Sequence, residues 1–182
     1  MRGSKPGVVR IIGGDWRRLQ LPVPELPGLR PTGDRIRETL FNWLGQDLSG
    51  WRAIDAFAGS GALGLEAASR GAQVQLVETH KQALAALKSS LARLPGAEQR
   101  VRLRAGDGLA ALREGGYDLA LLDPPFEAEV FDAALAAAAA HASWIYLEAS
   151  RGFPPPEGFR VHRELKAGAV HAHLFARENA GP

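Results

Sequence analysis

At 182 residues, with 46% hydrophobic and 23% charged residues, the chain has the length and composition of a soluble single-domain protein, which excludes a large multidomain assembly. It contains no cysteine and no apolar run near the roughly 20 residues that cross a bilayer, which excludes disulfides, thiolate chemistry and a membrane span, and we expect it in the cytoplasm. The net charge is +2, and the positive charge is concentrated at the N-terminal end, where residues 1–52 hold 9 Lys and Arg against 5 Asp and Glu. This segment could bind the phosphate backbone of a nucleic acid, or it could be a solvated basic tail.

The first predicted element is a short β-hairpin. Two segments, Val8–Ile12 and Trp16–Leu21, flank Gly13-Gly14-Asp15, and the glycines suit a turn between paired strands. Prolines then exclude a helix, at Pro22, Pro24, Pro27 and Pro31. The front of the chain is therefore predicted to be a hairpin followed by an irregular segment.

An amphipathic helix is predicted after the prolines, over Asp34–Leu44. Its apolar residues recur at spacings of three and four, the period of one helix face, at Ile36, Leu40, Trp43 and Leu44. Thr32 or Asp34 is expected near the N-cap, because hydroxyl and carboxylate oxygens accept hydrogen bonds from the first helical amides.

From Arg52 onward, strand-like apolar runs alternate with helical stretches. Strands are predicted over Ala53–Ala58, Gln73–Glu78, Val101–Ala105, Tyr117–Leu122 and Trp144–Glu148. Helices are predicted over Ala62–Arg70, Lys81–Leu94, Gly108–Arg113 and Glu129–Ala140. The chain closes with an antiparallel hairpin, Gly158–Leu165 and Ala169–Ala176, around a turn at Lys166-Ala167-Gly168.

This order of elements predicts an α/β fold with a Rossmann-like, doubly wound and mostly parallel sheet of seven strands, preceded by the short N-terminal hairpin extension. An antiparallel terminal strand on such a sheet is typical of class I methyltransferases, whereas most dinucleotide-binding domains stay parallel. The terminal hairpin therefore favours the class I methyltransferase fold.

A glycine-rich loop follows the first strand of this sheet. Gly59, Gly61 and Gly64 satisfy the pattern G-x-G-x-x-G, and Glu78 stands 19 residues after Gly59, at the end of the next strand. This is the fingerprint of a dinucleotide site, in which the acidic residue binds ribose hydroxyls. On this pattern alone, NAD remains a serious alternative.

Two aspartates favour S-adenosylmethionine over NAD. Asp55 precedes the loop, where its carboxylate would repel a pyrophosphate but suits the ammonium group of a methionine moiety. Asp107 follows the third strand, where it can accept a hydrogen bond from an adenine amine. Each carboxylate could instead be a helix cap or a surface charge. The predicted cofactor contacts from this reasoning are Asp55, Phe57, Ala58, Gly59, Ser60, Gly61, Glu78, Asp107 and Gly108.

The fourth strand ends in Asp123-Pro124-Pro125-Phe126, where open α/β sheets bind their ligands. An exocyclic amine of a base is a poor nucleophile because its lone pair is delocalised into the ring, so acceptors that hold both N–H bonds assist its attack. Asp123 offers one acceptor and the Pro124 carbonyl a second, Pro125 stiffens the turn, and Phe126 can stack on the base. These four residues are the predicted catalytic set, although a Pro-Pro turn with a capping aspartate would have the same sequence.

Four segments carry a family resemblance: RIIGGDWR at 10–17, LRPTGDRIRETLFNWL at 29–44, DAFAGSGALGLEA at 55–67 and DPPF at 123–126. Together they resemble RsmD-type methyltransferases of bacterial 16S ribosomal RNA, over nearly the whole chain. The resemblance implies N2-methylation of one guanine in a hairpin loop of 16S rRNA near the P site, with assembled small-subunit particles as substrate. It also implies that the cofactor and base pocket is lined by Thr32, Arg35, Arg37 and Glu38.

Two interpretations stay open for Arg35 and Arg37: they could line the pocket, or they could form a phosphate-contacting face of the helix. The candidate RNA contacts are Arg10, Arg17, Arg18, Arg30 and Arg37. The chain departs from the family in two places: the basic cluster after Trp16 is shortened to Arg17-Arg18, and the C-terminal hairpin keeps only the outline of its counterpart. RNA docking is therefore less determined by the sequence than the chemistry.

These interpretations divide the chain into a basic extension, 1–31, and a methyltransferase domain, 32–182, with its N-terminal helix at 34–45. We expect a monomer that acts on 16S rRNA in small-subunit particles. His171 and His173 share one strand face, but without a third ligand they are interpreted as ordinary strand side chains and no metal is predicted. The alternatives are an adenine-N6 methyltransferase of DNA or RNA, an NAD-dependent oxidoreductase and a non-catalytic rRNA-binding assembly factor.

Overall fold

The computed structural model describes residues 7–26, 29, 32–125 and 129–181. The predicted RNA contact Arg30 and the predicted base-stacking residue Phe126 lie outside the described residues, as do Pro27 and Pro31. Among the described residues, no helix has the length and apolar character needed to span a membrane.

Strands and helices alternate through most of the described chain. The strands are β1 Val8–Arg10, β2 Gln20–Pro22, β3 Arg52–Asp55, β4 Gln73–Glu78, β5 Val101–Ala105, β6 Leu119–Leu122, β7 Trp144–Ala149, β8 Phe159–Ala167 and β9 Val170–Arg177. The helices are α1 Asp34–Leu44, α2 Ala62–Ser69, α3 Lys81–Arg93, α4 Gly108–Glu114 and α5 Phe131–Ala139, with a 3-10 turn at Ala97–Gln99. Every predicted strand and helix is present, with ends that coincide with the prediction or are displaced by up to four residues, the largest difference being the start of β2.

The main sheet has seven strands in the order β5-β4-β3-β6-β7-β9-β8. The first five are parallel, while β9 pairs antiparallel with both β7 and β8. The predicted class I arrangement, with an antiparallel terminal hairpin, is confirmed. The strand order reverses between β3 and β6, and ligands of open α/β sheets bind at this switch point beyond the carboxyl ends of the strands.

Buried side chains cover both faces of the sheet. In the central strand β6 all four residues are buried, and they alternate between the faces: Leu119 and Leu121 join the layer under α1, α2 and α3, whereas Ala120 and Leu122 join the layer under α4 and α5. A parallel strand covered on both faces reads as a continuous apolar run, which is why β6 was visible in the sequence.

Two details differ from prediction: the end of β3, which is the first strand of the main sheet in chain order, and the capping of α1. β3 ends at Asp55 rather than at Ala58, because the following residues turn back into α2, whose N-cap Gly61 has a φ of 81°. The N-cap of α1 is Gly33, which Thr32 and Asp34 flank as expected, but no side chain donates or accepts a capping hydrogen bond there. The Thr32 hydroxyl is instead engaged with two carboxyl groups, Asp123 and Glu148.

The N-terminal hairpin has a longer loop than the predicted tight turn at Gly13-Gly14. Only β1 and β2 pair, with Val9 opposite Leu21, and residues 11–19 form the connection. This loop docks on the end of α2: the Trp16 amide donates to Ser69 Oγ at 2.9 Å and the Asp15 amide to the Ser69 carbonyl at 2.7 Å. Tertiary contacts therefore set the loop's shape.

A buried carboxylate joins this hairpin to two helices. Glu66 of α2 is 0% exposed; its Oε1 accepts from the Ile12 amide at 2.7 Å and from Arg37 Nη1 at 2.6 Å, and its Oε2 accepts from Arg70 Nη1 at 2.5 Å. The Arg70 guanidinium lies over the Phe41 ring, 4.2 Å from its centroid. Glu66 thus connects the N-terminal hairpin, α1 and α2 through charged hydrogen bonds inside the core.

Candidate active site

A cleft of about 820 Å³ opens at the carboxyl ends of the parallel strands, around the switch point between β3 and β6. Its volume lies in the upper part of the range for small-molecule sites. One half is lined by Asp55, Ala56, Phe57, Ala58, Gly59, Ser60, Val77, Glu78, Thr79, Gly106, Asp107 and Gly108. The other half is lined by Thr32, Gly33, Ile36, Asp123, Pro124, Pro125, Glu148, Ala169 and Val170. The cleft therefore brings the predicted cofactor residues and the predicted acceptor residues into one site.

Asp55, at the end of β3, is 1% exposed and only half satisfied. Its Oδ2 accepts from the Gly64 amide at 2.9 Å, whereas the buried Oδ1 has no hydrogen-bond partner among the described residues. Burial raises the pKa of Asp55 from 3.8 to about 7, with the nearby Glu78 adding to the increase. An unpaired buried acceptor on the cleft wall suits a ligand with a donor, and an ammonium group fits it best.

The glycine loop is held against the end of β4. The Gly59 amide donates to Glu78 Oε1 at 3.2 Å, while Glu78 Oε2 accepts from the Thr79 amide at 2.8 Å. At Gly64 a β-carbon would stand 2.3 Å from Leu76 Cδ2 and 3.0 Å from Asp55, so only glycine lets α2 pack this closely on the strands. The close packing brings the Gly64 amide within reach of Asp55.

Asp107 caps a helix at the edge of the cleft, and its predicted contact with adenine stays a prediction. Its side chain caps α4, accepting from the Leu109 and Ala110 amides at 3.2 and 3.3 Å, and the residue also lines the cleft. The neighbouring Gly108 lies so close to the preceding loop that a β-carbon would stand 2.1 Å from the Ala56 carbonyl oxygen. The glycine at this position is explained by packing as well as by its place in the cleft.

The acceptor half is built around two adjacent carboxyl groups. Leu122 of β6 pairs with Leu147 of β7, so Asp123 and Glu148, the next residues, end side by side. Thr32 Oγ1 lies 3.2 Å from Asp123 Oδ2 and 3.1 Å from Glu148 Oε2 and bridges them. The buried Tyr146 hydroxyl donates to the same Glu148 oxygen at 3.0 Å.

This arrangement changes the titration of all three acidic side chains. Burial, followed by the proximity of Glu148 and Asp55, raises the pKa of Asp123 well above its ordinary value. Burial also raises the pKa of Glu148, and burial together with Glu148 raises the pKa of Tyr146. Among the described ion pairs none involves these groups. A cleft lined by carboxyl groups without internal cations favours ligands that carry positive charge or N–H donors.

Three residues from the α1 segment do not take their expected places. Arg35 and Glu38 are exposed and do not line the cleft, because Ile36 faces it and each helical residue rotates by about 100° from the last. Arg37 is 1% exposed, and its guanidinium donates to Glu66, to Asp34 and to the carbonyls of Thr32 and Arg10. The predicted RNA contact at Arg37 is therefore wrong, since it is buried inside the protein.

Arg10, Arg17 and Arg18 are exposed, as an RNA contact requires. They belong to β1 and to the loop that follows it. Arg18 has a φ of 72° and lies in the turn that returns the chain to β2. These positions are compatible with the predicted role in RNA binding, which stays a prediction.

Sequence reasoning missed Glu148, Tyr146 and the cleft wall at Ala169 and Val170. Glu148 could have been found by the rule that identified Asp123, because it also closes a predicted parallel strand. Tyr146, two residues earlier, shares its strand face. For Ala169 and Val170 no comparable signal exists, because only the docking of the terminal hairpin beside β7 brings its tip to the cleft.

The two histidines of β9 are strand side chains with structural contacts. His173 is 2% exposed, its Nε2 accepts from the Phe153 amide at 3.1 Å, and its Nδ1 lies 3.2 Å from the Leu147 carbonyl. Burial lowers the pKa of His173, which favours the neutral ring with a proton on Nδ1. Both ring nitrogens of His173 are thus engaged with backbone groups.

Comparisons with known proteins identify relatives of this chain. The family model described as conserved hypothetical protein 95 matches residues 9–176. Ribosomal RNA small subunit methyltransferase D of Escherichia coli K12 is 40% identical over 187 aligned residues, which cover 98% of this chain and 94% of that protein. The Haemophilus influenzae protein of the same name is 36% identical, with coverage of 93% and 94%. A solved E. coli structure described as a methyltransferase has a TM-score of 0.83 and 38% identity, covering 94% of this chain and 99% of that one.

Proposed function

Since this chain belongs to the RsmD family of ribosomal RNA small subunit methyltransferases, we propose that its cleft transfers a methyl group from S-adenosylmethionine to the exocyclic N2 amine of one guanine in 16S rRNA. The chain is an S-adenosylmethionine-dependent rRNA methyltransferase. The proposal concerns the target base, the small-subunit particle as substrate and the role of each residue in the cleft. One observation supports it above the others. Asp55 and Asp123 stand at the ends of the two strands that flank the switch point, in one continuous cleft.

The cofactor occupies the Asp55 half of the cleft in this proposal. The unpaired Asp55 Oδ1 receives the ammonium group of the methionine moiety, and Glu78 binds the ribose hydroxyls beside the Gly59 loop. Asp107 receives the adenine amine with the acceptor capacity that remains beyond its two capping bonds. A cationic sulfonium ligand suits this carboxyl-lined half better than the pyrophosphate of NAD does.

The amine is held in the other half. Asp123 accepts one N–H of the guanine N2 group and the Pro124 carbonyl, which accepts no hydrogen bond from a described residue, accepts the other. Bound S-adenosylmethionine supplies an electrophilic methyl group. Asp123 and the Pro124 carbonyl would hold the N2 nitrogen toward that methyl group, and the proton that the nitrogen gives up on methylation would pass to water. Holding the nitrogen in line can supply on the order of 7–11 kcal/mol of the barrier reduction.

The rRNA docks on the basic front of the protein in this proposal. Arg10, Arg17 and Arg18 contact phosphates beside the cleft, and the protein acts as a monomer on assembled small-subunit particles. Each phosphate contact adds to the salt dependence of binding, so the logarithm of the affinity falls as the logarithm of the salt concentration rises.

The direct test is methyl transfer from tritiated S-adenosylmethionine to small-subunit particles taken from a strain that lacks the endogenous enzyme. Nucleoside analysis of the product is expected to show N2-methylguanosine at a single site. Methylated adenosine would establish the adenine-N6 alternative instead. Absence of transfer to particles and to free 16S rRNA would support a non-catalytic assembly factor.

Replacement of Asp55 by asparagine is expected to have opposite effects on two quantities: the unliganded protein becomes more stable at pH 8, and its affinity for S-adenosylmethionine falls. The Asp55 pKa is raised from 3.8 to about 7, so its contribution to stability is fully present below pH 3.8 and is lost as the pH rises through 7. At pH 8 the unliganded Asp55→Asn protein is therefore expected to be more stable than wild type, by up to about 4 kcal/mol. Its affinity for S-adenosylmethionine is expected to fall by roughly 10²-fold, since the charged acceptor is removed.

Urea unfolding at pH 5 and pH 8 and calorimetric titration with S-adenosylmethionine measure both effects. The matched control is Asp118→Asn, which changes the exposed carboxylate that accepts from the Arg52 amide at the opposite end of β3. This control is expected to keep the wild-type affinity. Unchanged affinity in Asp55→Asn would contradict the assigned ammonium contact.

A further inference from the structure

Glu148 is a second carboxyl group in the acceptor half, and holding the N2 amine does not require it. It is 5% exposed, lines the cleft and lies beside Asp123, one residue before the end of β7. Two hydroxyl groups, of Thr32 and Tyr146, point at its Oε2. Its Oε1 accepts no hydrogen bond from any described residue. One oxygen is thus anchored from within the protein, which leaves the other for a ligand.

The hydrogen bonds that Glu148 accepts from Thr32 and Tyr146 favour its ionised form and oppose the burial that raises its pKa. Thr32 has a single hydroxyl proton, so of the two carboxyl groups within its reach it donates to one at a time. Tyr146 donates to Glu148 independently, which stabilises its ionised form relative to that of Asp123. Thr32, which precedes α1, also links Glu148 to Asp123, the residue that follows β6, so contacts from three parts of the fold fix the position of Glu148. A carboxylate held in this way is a preorganised acceptor.

Guanine and adenine differ at the ring atom next to the methylated amine. In guanine the N2 amine is adjacent to N1–H, which is a donor, whereas in adenine the N6 amine is adjacent to N1 with a lone pair. In the orientation that turns the N1 side of the base, rather than N3, toward Glu148, a guanine held by Asp123 through its N2 amine presents N1–H to that carboxyl group. An anion there attracts N1–H of guanine and repels the lone pair of adenine.

We propose that Glu148 is the specificity-determining residue of this site: its Oε1 accepts the N1–H of the target guanine beside the amine that Asp123 holds. This inference rests on the proposed function, which it deepens by assigning the selection of guanine to a named side chain. Thr32 and Tyr146 are positioning residues that act through Glu148. A site built around a buried acceptor rejects an analogue without the matching donor, because the acceptor is then left unpaired.

The test uses base analogues in small-subunit particles reconstituted with 16S rRNA that carries one synthetic residue at the target position. 2-Aminopurine keeps the 2-amino group but has a lone pair at N1, whereas 6-thioguanine keeps N1–H and changes only the 6-position. Wild-type enzyme is expected to methylate guanine and 6-thioguanine with similar kcat/KM. It is expected to favour guanine over 2-aminopurine at least about 100-fold.

The Glu148→Gln variant controls for the intrinsic reactivity of the analogue amine. Its amide can present either an oxygen to N1–H or an N–H to the lone pair, so the preference for guanine over 2-aminopurine is expected to fall below about tenfold. Equal rates of wild type on the two bases, or an unchanged preference in Glu148→Gln, would overturn the role of Glu148 while guanine methylation stands. Failure of wild type to methylate guanine would overturn the proposed function itself.

Discussion

Replacing Asp123 by alanine is expected to lower kcat for methyl transfer by about 10²–10³-fold, the range found when one polar group that stabilises a reacting centre is removed. Asp123 is the acceptor for one N–H of the target amine in the proposed mechanism. Burial and the neighbouring Glu148 and Asp55 raise the Asp123 pKa, so removal of this carboxyl group relieves an electrostatic cost at neutral pH, and urea unfolding of the variant separates loss of catalysis from loss of fold. Cofactor affinity, measured by calorimetry, is expected to stay within a few-fold of wild type.

The matched variant Asp123→Asn distinguishes an acceptor from a base. Its amide oxygen still accepts a hydrogen bond but cannot take up the proton, so kcat is expected within roughly tenfold of wild type. An exocyclic amine that has gained a methyl group carries a positive charge until it loses a proton; in that cationic form it is a strong acid that deprotonates without a general base, which is why an acceptor suffices. Single-turnover rates on small-subunit particles give both values. Wild-type rates in Asp123→Ala would show that another group holds the amine.

Removal of the Glu66 side chain is expected to cause a large loss of stability. Glu66→Ala leaves the buried Arg37 and Arg70 guanidinium groups and the Ile12 amide without their shared acceptor. Breaking a buried ion pair from one side costs about 3–5 kcal/mol, because the remaining charge stays buried. For a chain of this size, that corresponds to a midpoint lower by roughly 6–20 °C. Urea unfolding at pH 7 measures the free energy directly.

The control is Glu114→Ala, which removes an exposed carboxylate paired with Arg104 at 2.8 Å. Solvent screens that pair, so the unfolding midpoint is expected to stay nearly unchanged. Hydrogen exchange at the Ile12 amide gives a second measure, since protection there is expected to fall in Glu66→Ala and not in Glu114→Ala. If both variants lost the same stability, the buried network would not be what holds the hairpin on α2.

Much of the site was predictable because strand ends are visible in a sequence. β6 is a run of apolar residues that stops at Asp123, and the same rule located Asp55, Glu78 and Asp107. Glu148 obeyed this rule too but was not singled out, since no recognisable motif surrounds it. Arg37 was misassigned for a different reason: a charged residue in an amphipathic helix is usually solvated, and its burial depends on Glu66, which is 29 residues away in sequence.

The sequence by itself determined the alternation of strands and helices, the glycine loop and the acidic residues at the strand ends, since these follow from periodicity and local backbone chemistry over a few neighbouring residues. Only the tertiary structure decided which side chains share a hydrogen bond across the chain: Thr32 between Asp123 and Glu148, and Glu66 with Ile12, Arg37 and Arg70. Apart from the i, i+4 pair of Glu66 and Arg70, which helix spacing brings together, these contacts join residues 29 to 116 positions apart. Their partners are set by strand register and helix packing, which no local pattern encodes.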